Sequence, residues 1–410
     1  MNIDYSILFA SIILVLAFGV ERFSRARKIP AVILLITIGM LSKPLMQSMD
    51  WTLRGLETIV PIIGTVGLVL IVLEGALDIS LSRERLKPAT SALLVAVLGF
   101  LACLALSTPL IAAVFSISTF HAAVVAVPVA VISSAVAIPS SQFLPPHGRE
   151  FVVYESSLSD ILGVIVFFAL VNSNGTAGGV LQGLLGGGIA SLLLSIVCAI
   201  GLAFILMRIQ GQIRFIPLLA GLLGLYAGGK ILHLSPLIMV LLFGLTINNP
   251  QLILRIPHLK HWMSDNYDAT LNEFKSLALE LTFAVRGFFF ILLGYWTDLA
   301  TLIEPEAWLG ALAVMAIVYS TRYWLLRLVH DELAPSLLWI APRGLITVLL
   351  YLTARTVVPM PDYLGGSVLI LVICSSLLLL LAQRNAPAAQ VSAADAPKVP
   401  AEPAAATDQN

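Results

Sequence analysis

Apolar runs long enough to cross a bilayer recur from one end of this chain to the other, and nothing else in it constrains the fold as tightly. A helix of about 20 apolar residues spans a hydrocarbon core about 30 Å thick. Inside that core every backbone N–H and C=O must find a partner within the protein, which leaves helices and closed barrels. Barrel strands alternate polar and apolar residues over segments of about 10, and these runs do not alternate. Only 11% of the 410 residues are charged, against about 25% in soluble domains. The chain therefore reads as an all-α polytopic membrane protein.

Apolar runs between polar breaks give about thirteen spans, near 4–20, 29–46, 56–77, 91–115, 120–143, 150–172, 179–207, 213–232, 235–248, 277–297, 305–326, 335–354 and 364–383. Cytoplasmic loops carry the excess of Lys and Arg. Arg22, Arg25, Arg27 and Lys28 follow the first span, Arg83, Arg85 and Lys87 the third, and Arg149, Arg208, Arg214, Arg255 and Lys260 fall in loops of the same parity. The expected topology has the N-terminus outside and the C-terminus in the cytoplasm of a multi-pass cell-membrane protein. The opening MNIDYS lacks the basic region of a signal peptide, so the first helix is expected to stay in the mature protein.

Residues 1–385 read as one transmembrane domain. Residues 386–410, rich in Ala and Pro, read as a disordered cytoplasmic tail. Leu252, Ile256, Leu259 and Trp262, interleaved with Arg255, His258 and Lys260, suggest an amphipathic interfacial helix or an ordinary linker helix within 249–276. With 23 basic and 23 acidic residues, no net charge points to nucleic acid. Cys103, Cys198 and Cys374 lie in apolar runs and imply no disulfide framework. The Gly183–Gly188 run suits close helix packing, and His147 reads as a solvated loop residue. No HExxH or GxSxG motif marks an enzyme.

Charges inside the spans are the informative exceptions, because each costs about 2.5 to 3.5 kcal/mol on insertion scales and faces an internal cavity or a partner. Glu155 and Asp160 lie in the sixth span, Glu280 and Arg286 in or near the tenth, Arg322 in the eleventh, Arg343 in the twelfth and Glu74 in the third. Glu155 and Asp160 sit about 140° apart around a helix and roughly 7.5 Å apart along it, so they need not share a role. Asp160 lies among apolar residues, where a bare charge is disfavoured and a proton or cation must accompany it. Glu155, nearer the start of the span, suits a structural ion pair with Arg322 or Arg343.

Two spans are interrupted. Ser133, Ser134, Pro139, Ser140 and Ser141 break the fifth, and Pro342 and Gly344 flank Arg343 in the twelfth. Broken helices at membrane depth line cavities, and a matched pair in two halves of a chain points to a site between inverted repeats.

Those residues resemble the monovalent cation:proton antiporter superfamily, the sodium/proton exchanger domain. VLEGALDIS, from Val72 to Ser80, looks like its Phe-Glu-x-Gly-Leu-Glu stretch, and ISSAVAI is similar to a Ser-Ser-Thr-Ala-Val-Ala form with Ser134 at the threonine. Glu155 to Asp160, ESSLSD, resembles Glu-Ser-x-x-Asn-Asp, and Arg343 in APRGLITVLLY matches a Leu-Arg-Gly segment. The resemblance implies a homodimer of thirteen-helix chains with two crossing broken helices, a mobile core bundle and a fixed dimer domain. It implies that Asp160 binds Na+ or a proton in turn, with K+ or Li+ as other candidate cations and no cofactor. Ser156, Ser133 and Ser134 would supply further oxygen ligands, and Glu155 would pair with Arg322. Ser159 departs from the family's Asn or Asp, and with no second acid there one-for-one, electroneutral exchange is expected. The rival readings are a cation-coupled organic-anion carrier on the same fold and a cation channel.

Overall fold

The computed structural model describes residues 3–27, 29–48, 56–79, 86–173, 215–231, 236–249, 267–297, 299–329 and 334–384, with a few further positions between 175 and 201. Every regular element among them is helical. In chain order these are α1 (Ile3–Arg27), α2 (Ala31–Ser48), α3 (Leu56–Asp78), α4 (Leu86–Phe115), α5 (Thr119–Ala130), α6 (Ser134–Ser140), α7 (Pro146–Val171), α8 (Phe215–Ile231), α9 (Pro236–Asn248), α10 (Tyr267–Trp296), α11 (Pro305–Val329), α12 (Ala334–Leu337), α13 (Leu345–Val357) and α14 (Tyr363–Arg384), with a 3-10 turn at Leu299–Leu302.

Seven of the described helical segments are long and apolar enough to cross a membrane, and Phe215–Ile231, Met239–Asn248 and Leu345–Val357 are shorter apolar helices. The expected count of thirteen is not reached among the described residues: α1 and α3 are helical but are not among these ten, and most of the seventh span, 179–207, lies outside the described residues. The glycine run at 183–188, the interfacial segment 250–266 and the tail also lie outside them. Three boundaries differ from the sequence reading. Helix α1 runs through the basic cluster to Arg27, because arginine is a good helix former and the pattern of apolarity marks the membrane rather than the helix end. Helix α10 begins at Tyr267, about ten residues before the expected span, because its polar first turns continue the helical hydrogen bonding beyond the apolar run. His147 sits in the first turn of α7, whose start is set by Pro146, a residue whose missing N–H costs nothing there.

The helices form two groups. In one, α10 packs along α2, α3 and α1, while α9 joins α3 to α8. Gly39 and Gly294 let α2 and α10 approach backbone to backbone, since a Cβ at either would strike a carbonyl of the other helix. In the other group, α4 lies against α5, α7 and α11, α11 against α14, and α13 against α5. The groups meet where α3 touches α7 and α13, α9 touches α7, and α2 touches α14.

Both expected interruptions are present, one in each half of the chain, but the first lies at Val131–Ser133, and Ser134, Pro139 and Ser140, expected to break the span, are inside α6. Between α5 and α6 the backbone is extended, with Val131 at φ −79°, ψ 133° and Ser133 at φ −79°, ψ 115°. Between α12 and α13 the chain from Leu338 to Gly344 is non-helical. Pro342 cannot donate to a helical ladder, and its carbonyl instead accepts the Ser133 N–H at 2.9 Å. That bond is where the two breaks cross. Gly344 is what permits it, because a Cβ there would stand 2.5 Å from Ser133 Oγ.

A candidate ion-binding site at the helix crossing

Breaking a helix in a dry interior frees backbone donors that must be satisfied, and α7 supplies the acceptors. The Ile132 N–H donates to Ser159 Oγ at 2.9 Å. The next free donors belong to Ser134, whose N–H and hydroxyl both reach Asp160 Oδ2, at 3.0 and 2.5 Å. Close approach of the two segments depends on Gly163, where a Cβ would collide with the Val131 side chain. One oxygen of the Asp160 carboxylate is thus committed to the start of α6. The other, Oδ1, is buried and has no hydrogen-bond partner, as is the hydroxyl of Ser133. Asp160 as a whole is 4% exposed.

The carbonyl end of the first half-helix has its own partner. Arg343, fully enclosed, donates from Nε to the Val129 carbonyl at 2.9 Å and from Nη1 to the Ala341 carbonyl at 3.1 Å. Its positive charge lies at the C-terminal end of α5, where the helix dipole favours a cation. Its own N–H donates to Ser375 Oγ at 2.9 Å, tying the crossing to α14.

Glu155, one and a half turns before Asp160, faces elsewhere. Arg322 of α11 donates Nη2 to Glu155 Oε2 at 2.8 Å and Nη1 to Oε1, a two-pronged pair, and its Nε caps the Leu337 carbonyl of α12 at 2.9 Å. Ser156 lies one turn before Asp160, with its hydroxyl donating to the Val152 carbonyl at 2.7 Å.

A cavity of about 1090 Å³ opens beside the crossing and reaches Ser134. Glu74, Glu280 and Arg286 line it, as do Arg22 and Arg149. Arg286 donates to the Ala135 carbonyl at 3.1 Å and lies in the field of Glu74, beside which stands Thr282. Glu280 is exposed on α10 and belongs to the cavity wall rather than to the crossing. Among the described residues no three His, Cys, Asp or Glu side chains cluster closely enough to hold a metal ion. The described groups nearest the crossing with oxygen to offer are the hydroxyls of Ser133 and Ser134 and the Asp160 carboxylate itself.

Sequence reasoning missed Ser157, Val129 and Ser375. Ser157 is buried with an unpartnered hydroxyl and faces Gly75 of α3. A third serine in one helical turn between two acids was the available signal. Ser375, in the polar pair Ser375-Ser376 of an otherwise apolar run, carried a similar one. Val129 contributes only a carbonyl, for which no side-chain signal exists.

The fold is similar to that of the sodium proton antiporter MjNhaP1 from Methanocaldococcus jannaschii. Its structure at pH 8 superposes with a TM-score of 0.71 at 19% identity, covering 92% of this chain and 99% of that one. A second structure of that antiporter, from a 3D EM map, gives a TM-score of 0.71 at 19% identity, covering 94% and 98%. A comparison with curated proteins by sequence finds no match. The family model of transmembrane sodium/hydrogen exchangers matches residues 9–381. That stretch takes in every element that builds the crossing, and the chain belongs to the sodium/hydrogen exchanger family, multi-pass membrane cation/proton antiporters rather than enzymes.

Proposed function

We propose that the protein exchanges cytoplasmic Na+ for external H+, one for one, by alternating access at Asp160. The observation that carries this reading is the divided Asp160 carboxylate, with Oδ2 held by Ser134 and Oδ1 unpartnered in a buried setting. A proton or a dehydrated monovalent cation can neutralise that free oxygen, and the two compete because there is one carboxylate. Ser133 Oγ, also unpartnered, is a candidate for a second oxygen ligand, with Ser134 and Ser156 as others. Ser159 carries no charge and is occupied with the Ile132 N–H, which favours a single exchanged charge.

Coupling follows from solvation. Carrying a bare carboxylate across a low-dielectric barrier is far more costly than carrying a neutralised one. Asp160 therefore changes sides with a proton or with a cation, and not empty. The wide cavity is lined by Arg22 and Arg149, which belong to the basic loops assigned to the cytoplasm, and this supports a cytoplasm-facing state and a topology with the start of α1 outside and the end of α14 inside. Glu155 and Arg322 act as a structural pair that fixes α7 to α11, and the bundle holding Asp160 moves as one body. A homodimer belongs to this reading on the family resemblance alone, and the exchange needs no cofactor.

The cavity carries four carboxylates, Glu21, Glu74, Asp78 and Glu280, against three arginines, Arg22, Arg149 and Arg286. That balance disfavours an organic anion as cargo. The test is Na+-driven proton movement in proteoliposomes, followed with a pH-sensitive dye, with and without a K+ ionophore that clamps the membrane potential. One-for-one exchange predicts the same rate in both conditions. A rate that rises when the potential is clamped contradicts electroneutrality, and cation flux without proton movement favours a channel.

A further inference from the structure

A second cavity, of about 400 Å³, lies inside the bundle formed by α4, α5, α11, α13 and α14 and shares no lining residue with the cavity beside Ser134. Its size falls within the range of about 300 to 1000 Å³ common for small-molecule sites. The walls are almost wholly apolar, and two of them, Val114 and Leu309, are 61% and 68% exposed on the outside of the bundle. The cavity therefore opens sideways, onto a surface that lies in the bilayer.

Tyr351, Glu306, Tyr363 and Ser367 interrupt this apolar lining; the Ser367 hydroxyl is already bonded to the Tyr363 carbonyl at 3.4 Å, and two of the four bear on a ligand. Tyr351 of α13 is 5% exposed, and its hydroxyl is buried without any hydrogen-bond partner. A buried hydroxyl left unpaired costs about 1 to 3 kcal/mol, so this group gains from bonding a ligand oxygen or nitrogen that enters the cavity. The second is Glu306, exposed at the mouth in the first turn of α11. Glu304 stands near it, and both act on the phenol of Tyr363. An acid in a first turn also suits the helix dipole, but that role leaves the Tyr351 hydroxyl without a partner. The floor of the cavity includes Val129, whose carbonyl holds Arg343.

We propose that this cavity binds one phospholipid with an ammonium headgroup, such as phosphatidylethanolamine. An acyl chain fills the apolar shaft, a polar group of the lipid bonds to the Tyr351 hydroxyl, and the ammonium sits at Glu306. Lipid is the abundant amphiphile at a laterally open cavity, and the Glu306 carboxylate at its mouth favours a zwitterionic headgroup that carries an ammonium over an anionic one. The seated chain ends against the half-helix that Arg343 anchors, which places a bilayer component in contact with the helix crossing.

The test uses the purified full chain, incubated with phosphatidylethanolamine or phosphatidylglycerol of the same acyl composition and examined by native mass spectrometry after detergent exchange. We expect one retained phosphatidylethanolamine per chain, preferred about fivefold or more over phosphatidylglycerol. Glu306→Gln should abolish the preference, and Tyr351→Phe should weaken retention of both lipids by about fivefold. Ala313→Phe, which fills the shaft, should remove retention. Equal retention of the two lipids by the wild type overturns the proposal, as does a preference unchanged in Glu306→Gln. Should Ala313→Phe fail to fold, the Tyr351→Phe and Glu306→Gln variants decide the matter alone. The readout is binding, so it stands or falls apart from the antiport reading.

Discussion

Ser134 grips a single oxygen of Asp160 twice, through its backbone N–H at 3.0 Å and its hydroxyl at 2.5 Å, and leaves the other oxygen without a partner. The two donors are separable. Ser134→Ala keeps the backbone donor and removes the hydroxyl, a charge-assisted bond worth about 1.5 to 3 kcal/mol. We expect exchange to persist with the half-saturating Na+ concentration shifted about tenfold or more, and Ser134→Thr to stay near the wild type. An unchanged Na+ dependence in Ser134→Ala excludes a role for the hydroxyl.

Competition at one carboxylate fixes how pH and Na+ interact. Where the protonated form predominates, each unit drop in pH should raise the half-saturating Na+ concentration about tenfold while leaving the maximal rate at saturating Na+ alone. Initial exchange rates over a grid of pH and Na+ measure this. A maximal rate that falls with pH at constant half-saturation indicates separate sites for the two ions.

The Glu155–Arg322 pair is buried on both sides, at 2% and 5% exposure. Removing one partner leaves an uncompensated charge, at a cost of about 3 to 5 kcal/mol. Arg322→Ala and Glu155→Gln should each lower the thermal unfolding temperature, and Glu155→Leu combined with Arg322→Met should recover part of the loss. Normal melting of Arg322→Ala with intact transport rules out the structural role.

Gly163 and Val131 touch where α7 meets the first break. Gly163→Ala overpacks that contact, at a cost of about 1 to 3 kcal/mol, and should impair transport by pushing Asp160 from Ser134. Adding Val131→Ala makes room and should restore much of the rate. A double variant as impaired as the single one locates the defect elsewhere.

The membrane class, the presence of two breaks and four buried charges, Glu155, Asp160, Arg322 and Arg343, were legible in the sequence, each for a physical reason, whereas Glu74 and Arg286 are half-buried and Glu280 is exposed. Apolar runs report on the solvent around a helix, Pro342 reports on a backbone donor that cannot exist, and Asp160 is too costly in hydrocarbon to be incidental; Pro139 misled, since it lies inside α6 rather than at the break. What the sequence withheld was geometry carried by the backbone. The Ser133 N–H meets the Pro342 carbonyl and the Val129 carbonyl meets Arg343, contacts that no side-chain pattern encodes. Arg286 illustrates the same limit, since it is spent on the carbonyl of Ala135. Helix ends were misjudged at Arg27 and Tyr267 because apolarity stops at the membrane surface while hydrogen bonding continues.

The central claim is that Asp160 itself carries the exchanged ion. The direct measurement is Na+-dependent collapse of an imposed proton gradient in proteoliposomes holding either the wild type or Asp160→Asn, reconstituted at equal density and shown to be folded by their melting curves. The asparagine keeps the shape and can still accept from Ser134, but it cannot gain or lose a proton in this range. The account predicts collapse with the wild type and none with Asp160→Asn for Na+, K+ or Li+. Substantial Na+-driven proton movement by a folded Asp160→Asn protein contradicts it.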